Sequence, residues 1–150
     1  RVCLFMYNKC MKKIAGLLPF FFLLVFILSC SKEVKRPSED AVLTDEALKL
    51  ADSIRAAYVE RDIGFLGNHF SPAGLSEIDR ALKGFESVEL TFTPAWVDIG
   101  GDAVRLRLVW SGKWKSGEKL KEERGTALLE FSGRPLRLDS VSMENPFLHR

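Results

Sequence analysis

The chain has 150 residues, of which 47% are hydrophobic and 28% are charged, and its 22 basic residues nearly balance its 20 acidic ones. This balance argues against non-specific binding of nucleic acid, which requires clustered positive charge. The length is sufficient for one domain with a substantial hydrophobic core.

The first ten residues carry no recognisable pattern, and the first plausible start of a translated protein is Met11. Two lysines follow it directly, as in the charged region that opens a signal peptide. We therefore expect residues 1–10 to be an upstream extension of the reading frame, and they contribute nothing to the predicted fold.

Residues 11–29 have the three parts of an export signal: a charged start, an apolar block from Ile14 to Leu28, and small Ser29 before a cysteine. The last three of these residues and the cysteine that follows them, Ile27-Leu28-Ser29-Cys30, resemble the lipobox of bacterial lipoproteins. The resemblance implies that the Cys30 thiol receives a diacylglyceryl group, that cleavage precedes Cys30, and that the freed amine is then acylated. Ser31 follows where an aspartate would resemble an inner-membrane retention signal. The resemblance therefore implies the outer membrane, facing the periplasm, in a Gram-negative host.

Two other interpretations of this segment stay open. A single transmembrane anchor would need about 20 apolar residues, whereas the block has 15 and contains Pro19. An ordinary signal-peptidase site usually ends in an A-x-A-like pattern, which the residues before Cys30 lack. The lipoprotein interpretation therefore fits the residues better than either alternative.

Cleavage before Cys30 would leave 121 residues with a different composition. Four of the 22 basic residues and no acidic residue lie in the removed part, so the remaining chain is weakly acidic. It keeps no cysteine besides Cys30, and its only histidines are His69 and His149. We therefore expect no disulfide, no metal site and no cofactor, and a fold that is stable through packing alone.

The remaining chain divides into a tether and one domain. Ser31–Asp40 is polar, charged and interrupted by Pro37, which predicts a flexible tether over residues 30–42 behind the lipidated cysteine. Residues 43–150 are expected to form a single domain.

Helical periodicity dominates the first half of this domain. Thr44 is a plausible N-cap of a long first helix. Asp62–Leu66 predicts a short second helix, and Ser71 followed by Pro72 predicts the start of a third. Apolar residues at three- and four-residue spacing define the buried stripes of the first and third helices: Leu48, Ala51, Ile54 and Tyr58, then Leu75, Ile78, Leu82 and Phe85.

From Val88 onward the apolar period becomes two, which predicts strands. The Gly-Gly pair at 100–101 predicts a hairpin turn. The predicted strands are 88–93, 96–99, 103–114, 126–131 and 136–141. The longest should bury Val104, Leu106, Leu108 and Trp110 on one face. Helices followed by an antiparallel meander predict an α+β fold.

Three short motifs accompany this order of elements: Tyr58–Asp62 at the end of the long helix, Val97–Val104 around the Gly-Gly turn, and Glu123–Ala127. Together they resemble the nuclear-transport-factor-2-like superfamily, which also contains SnoaL-like and ketosteroid-isomerase-like proteins. The resemblance implies N-terminal helices packed on a strongly curved antiparallel sheet, so that the domain is cone-shaped. It covers about residues 43–147 and bears on fold more than on function.

In family enzymes of this kind, burial inside the cone shifts the pKa of acids, tyrosines or histidines towards catalytic values. The residues expected near the mouth of the cone are Tyr58, Asp62, His69 and Trp96; Asp98, Trp110 and Trp114 are further candidates. Each has a structural explanation that fits better than a catalytic one: Tyr58 as a core aromatic, Asp62 as a helix cap and His69 as a charge at a helix end. The catalytic tyrosine and paired aspartates of the isomerases have no residue-by-residue match, so we expect no catalytic residue.

Two hypotheses about function follow. The favoured one is a lipid-anchored cell-envelope protein whose domain binds a small apolar ligand or another envelope protein without catalysis. The alternative is a small SnoaL-like or ketosteroid-isomerase-like isomerase or dehydratase that uses the cone. An enzyme should bury at least two ionisable groups beside a pocket of about 300 Å³ or more. A binding module should instead have a cone filled by apolar side chains, or an apolar patch outside.

We expect Cys30→Ala to abolish lipid attachment and signal cleavage, because only a thiol at this position can form the thioether. Metabolic labelling with a fatty-acid analogue, with the protein mass measured in parallel, reports both events. The matched control Ser31→Ala changes the neighbouring residue and keeps the thiol, so it should be labelled and cleaved like the unaltered chain. Label retained by Cys30→Ala would contradict the lipoprotein interpretation.

Overall fold

The computed structural model describes residues 37–148, so the expected signal peptide, Cys30 and most of the expected tether lie outside the described residues. Pro37–Arg150 forms a compact unit. This unit contains the hydrophobic core of the described residues, which runs from Leu43 to Phe147. We expect it to fold by itself, because a domain with its own core generally does.

Within residues 37–148, three helices precede four strands. The helices are α1 (Glu39–Glu60), α2 (Ile63–Gly67) and α3 (Pro72–Leu82), and the strands are β1 (Ser87–Gly100), β2 (Ala103–Ser116), β3 (Lys119–Ser132) and β4 (Arg137–Met143). The strands form an antiparallel sheet in chain order, with β1 and β4 at its open edges. The predicted α+β class is therefore confirmed. None of the helices within residues 37–148 is long and apolar enough to cross a membrane.

Helix α1 begins at Glu39, so the expected N-cap at Thr44 is wrong, and residues 39–42 of the expected tether are helical. The Ser38 hydroxyl accepts a hydrogen bond from the backbone N–H of Ala41, 3.2 Å away. Glu39 and Asp40 follow in the first turn, where the helix dipole favours acids. Capping at Ser38 also adds a turn that buries Leu43, which extends the apolar stripe.

The buried face of α1 comprises Leu43, Ala47, Ala51, Ile54, Ala57 and Tyr58. Three of the four predicted stripe residues are therefore buried, while Leu48 is only partly so. The helix ends at Glu60, and its C-cap Arg61 adopts a left-handed φ of 60°. Ser71 caps α3 as predicted, with Pro72 in its first turn, and Ile78 and Leu82 are its buried residues.

Strand β2 alternates between the two faces of the sheet along its length. Val104, Leu106, Leu108 and Trp110 are buried beneath the helices, as predicted, and Arg105 and Arg107 lie on the opposite, outer face. Trp114 continues the buried face, and its indole folds back over Gly112. A Cβ at Gly112 would lie 2.1 Å from the Trp114 ring, so this position requires glycine.

Two strands differ from the prediction. Residues 87–100 form one strand instead of two. Pro94 lies within this edge strand and beside a β-bulge, which are both places where a sheet tolerates proline. Strand β3 begins at Lys119, seven residues before the predicted start. The first half of β3 is charged on both faces, so it lacks the alternation of apolar and polar residues that predicts a strand. It is nevertheless paired with β2 along its whole length, with Glu122 opposite Lys113.

We expect Leu106→Ala to lower the free energy of unfolding by about 2–5 kcal/mol, because the side chain is 1% exposed in the middle of the core. Val109→Ala is the matched control: it lies on the same strand but on the outer face, 47% exposed, and should change stability by less than about 0.5 kcal/mol. Urea denaturation of Pro37–Arg150 measures both. Equal losses in the two variants would mean that the strand faces are assigned wrongly.

Candidate functional site

The four residues expected at the mouth of a cone lie in different surroundings. Tyr58 is fully buried, Asp62 is exposed, His69 is half-buried, and Trp96 is exposed on the outer face of the sheet. One groove contains His69 and another contains Trp96, and neither includes Tyr58 or Asp62. The structure therefore does not bring the four together around either groove.

Tyr58 belongs to the core. Its hydroxyl oxygen accepts a hydrogen bond from Nε1 of Trp114 at 3.4 Å, and its ring meets that of Phe147 edge-on, with centroids 5.2 Å apart. Burial raises the pKa of Tyr58 to about 12, and the hydrogen bond from Trp114 offsets only part of that rise. The phenol therefore stays protonated at neutral pH and is poorly suited to act as a base.

Asp62 caps α2. Its Oδ1 accepts a hydrogen bond from the backbone N–H of Phe65 at 2.9 Å, which is the N-cap geometry. Gly64 lies close to the same oxygen, since a Cβ there would be 3.3 Å away. The carboxylate is thus engaged by the helix terminus, and its position is explained without a substrate.

His69 lies just beyond α2, with its ring packed against Phe65 at a centroid distance of 4.8 Å. Its Nδ1 is buried and has no hydrogen-bond partner among the described residues. Partial burial and, to a lesser degree, the charge of Arg137 lower the pKa of His69. The adjoining groove measures about 170 Å³ and also contains Ser71, Asp139 and Asn145. A neutral imidazole in so small a groove offers little room for a substrate.

The C-terminal segment fills the space between the helices and the sheet. Phe147 is fully buried, and its ring meets three others edge-on. The centroid distances are 5.2 Å to Tyr58, 5.4 Å to Phe70 and 6.0 Å to Phe92. Sequence analysis missed this role because Phe147 lies beyond the last strand and outside any periodic pattern.

Glu144 fixes this segment to the sheet. Its backbone N–H donates to the Thr126 carbonyl at 3.0 Å, and its own carbonyl accepts from Nε1 of Trp110 at 2.8 Å. Its carboxylate accepts from the Thr126 N–H at 2.7 Å. That carboxylate lies over Gly125, where a Cβ would come within 2.4 Å of it. Gly125 lies one residue before the predicted strand 126–131 and inside the observed β3, so the predicted elements did not signal this close approach.

The interior formed by residues 37–148 is apolar. Apart from the Tyr58 hydroxyl, its buried side chains are hydrophobic or aromatic, and no charged residue in this range is buried. No group of three or more potential metal ligands occurs among the described residues. The largest fully buried side chains include Trp114, Tyr58, Phe131 and Phe147. The space inside the domain is therefore occupied by apolar and aromatic groups.

The outer face of the sheet presents an apolar groove of about 610 Å³. Three large side chains in it are substantially exposed: Trp96 (49%), Val109 (47%) and Met143 (58%). The other lining residues are Ala95, Arg107, Thr126 and Leu128. Most of the large hydrophobic residues that are exposed in the described range therefore lie in this one groove.

A β-bulge places Trp96 in the groove. Pro94 lies opposite Leu108 and Trp96 opposite Arg107, which leaves Ala95 as the extra residue. Without the bulge, strict alternation from Phe92 would direct Trp96 to the buried face. The register shift therefore places Trp96, one of the residues expected at the mouth of a cone, on the outer face of the sheet.

No protein-family model, curated protein or solved structure matches this chain.

We expect His69→Gln to make the free energy of unfolding less dependent on pH below about 6.5. The pKa of His69 is lowered in the folded state, whereas an unfolded histidine has its ordinary value. As the pH falls through 6.5, the unfolded chain takes up the proton first, so the unaltered fold loses stability. Urea denaturation across a pH series measures this contribution. If the free energy of unfolding depended on pH identically in both chains, the lowered pKa assigned to His69 in the folded state would be contradicted.

Proposed function

We propose that this chain is a lipid-anchored protein of the bacterial cell envelope whose domain is a non-catalytic binding module. The support for the anchor is the signal pattern that ends in Ile27-Leu28-Ser29-Cys30. With Ser31 after the cysteine, the proposal places the protein at the outer membrane of a Gram-negative host, facing the periplasm.

We also propose that the domain is of the nuclear-transport-factor-2-like type. The support is its order of elements, in which a long helix, a short helix and a third helix precede an antiparallel meander. The sheet is open, and the region where a cone would be hollow contains Phe147, so the proposed likeness concerns topology and not a ligand cavity.

The observation that carries the functional proposal is the placement of apolar surface. The interior is filled by aromatic rings, while Trp96, Val109 and Met143 are exposed together in one outer groove. Exposed apolar side chains that are grouped in this way mark binding surfaces. The volume of the groove falls within the range of small-molecule sites, roughly 300–1,000 Å³.

The alternative of an isomerase or dehydratase receives no support from the positions of its candidates. Tyr58 has a raised pKa and a tryptophan partner, and Asp62 is occupied as a helix cap. Neither lines the outer groove. We therefore propose that the outer groove, and not the interior, binds a small apolar ligand or the apolar surface of another envelope protein.

The three indole N–H groups report which surface an apolar probe occupies. Trp96 lies in the outer groove, Trp110 is bonded to Glu144, and Trp114 is bonded to Tyr58 in the core. We expect N-phenyl-1-naphthylamine, added to Pro37–Arg150, to shift the Trp96 indole signal in a ¹⁵N–¹H spectrum most strongly. The dissociation constant follows from the titration.

Met143→Ser should weaken binding of this probe at least about threefold, because it removes apolar contact area from the groove. Val42→Ser is the matched control, since Val42 is similarly exposed on α1 but lies outside the groove. It should leave the dissociation constant unchanged. A probe that shifts Trp114 and leaves Trp96 unmoved would place binding in the interior and contradict the proposal.

A further inference from the structure

Arg107 is the one charged residue among those that line the outer groove. It forms no ion pair with any residue in the described range. Its neighbours on the same face differ in this respect, since Arg105 pairs with Asp98, and Lys113 lies 3.8 Å from Glu122. The guanidinium of Arg107 is therefore available to an external anion.

The strand register places apolar side chains on both sides of this cation. Trp96 lies opposite Arg107 on one neighbouring strand and Leu128 lies opposite it on the other. Directly opposite residues have Cβ atoms about 4.5–5.5 Å apart. The arginine stem thus lies within an apolar surface, while its head carries a positive charge.

We propose that the groove binds a single amphiphilic molecule with one anionic headgroup, such as a free fatty acid. Its headgroup pairs with Arg107, and its apolar part lies on Trp96, Val109 and Met143. This inference rests on the proposed binding function and specifies the chemistry of its ligand. A guanidinium is suited to a carboxylate because it presents paired N–H donors in one plane.

The charges around the groove favour one small anion over an anionic bilayer. Next to Arg107 on the same face, Arg105 lies opposite acidic Asp98 on β1 and acidic Glu130 on β3, so no extended positive field develops. Attraction to a bilayer requires several basic groups acting together. One unpaired cation inside an apolar groove matches one headgroup attached to an apolar chain.

The test compares decanoate with 1-decanol, which share an alkyl chain and differ in charge at about pH 8. Both are added to Pro37–Arg150 below their aggregation limits, and the Trp96 indole shift gives each dissociation constant. We expect decanoate to bind about three- to tenfold more tightly than decanol, as for one partly exposed charge-assisted contact. Added salt should reduce this preference.

Arg107→Gln should abolish the preference for decanoate and leave decanol binding within about twofold. Arg124→Gln is the matched control, because it removes the same charge from the same face outside the groove, and it should keep the preference. Both residues are exposed, so neither change should affect folding.

Equal affinity of the unaltered chain for the two amphiphiles would overturn the inference, and so would a preference that survives in Arg107→Gln. If both amphiphiles still shifted Trp96, the proposed binding face would stand and only its ligand chemistry would be wrong. If neither shifted Trp96, the inference and the proposed face would both fail. A dimer that Met143→Ser dissociates, measured by light scattering, would assign the groove to a second copy of the chain and overturn the inference.

Discussion

The packing of Phe147 connects the end of the chain to the rest of the domain. Its ring lies edge-on to Tyr58 on α1, to Phe70 after α2 and to Phe92 on β1. Glu144 holds the same segment on the sheet through backbone and carboxylate hydrogen bonds. Because residues 37–148 contain no cysteine, this packing has no disulfide to support it. The arrangement of the helices over the sheet depends on it.

This packing also determines where a ligand has room. Phe147, Tyr58 and Trp114 occupy the interior, and burial keeps the Tyr58 phenol protonated. Apolar surface that is not used in the core is instead grouped on the outer face of the sheet. Both proposals, the binding function and the amphiphilic ligand, follow from this contrast: the interior is filled by side chains, whereas the outer face of the sheet has an exposed apolar groove.

Local pattern was sufficient for much of the fold. The alternation in β2 identified the buried face that contains Leu106, and the Ser71-Pro72 pair identified the start of α3. Both signals depend on neighbouring residues alone, through strand geometry and helix capping. The start of α1 was misplaced because Ser38 and Thr44 are both acceptable caps, and the choice depends on whether Leu43 finds a core to enter.

The sequence by itself determined the α+β class, the inward face of the longest strand and the pattern that predicts a lipid anchor at Cys30. Tertiary structure alone decided the position of Trp96, because a bulge at Ala95 shifts the register and reverses which side chains face outward. It also decided the role of Phe147, whose partners lie far away in the sequence. Long-range pairing and packing determine such positions, and no local period encodes them.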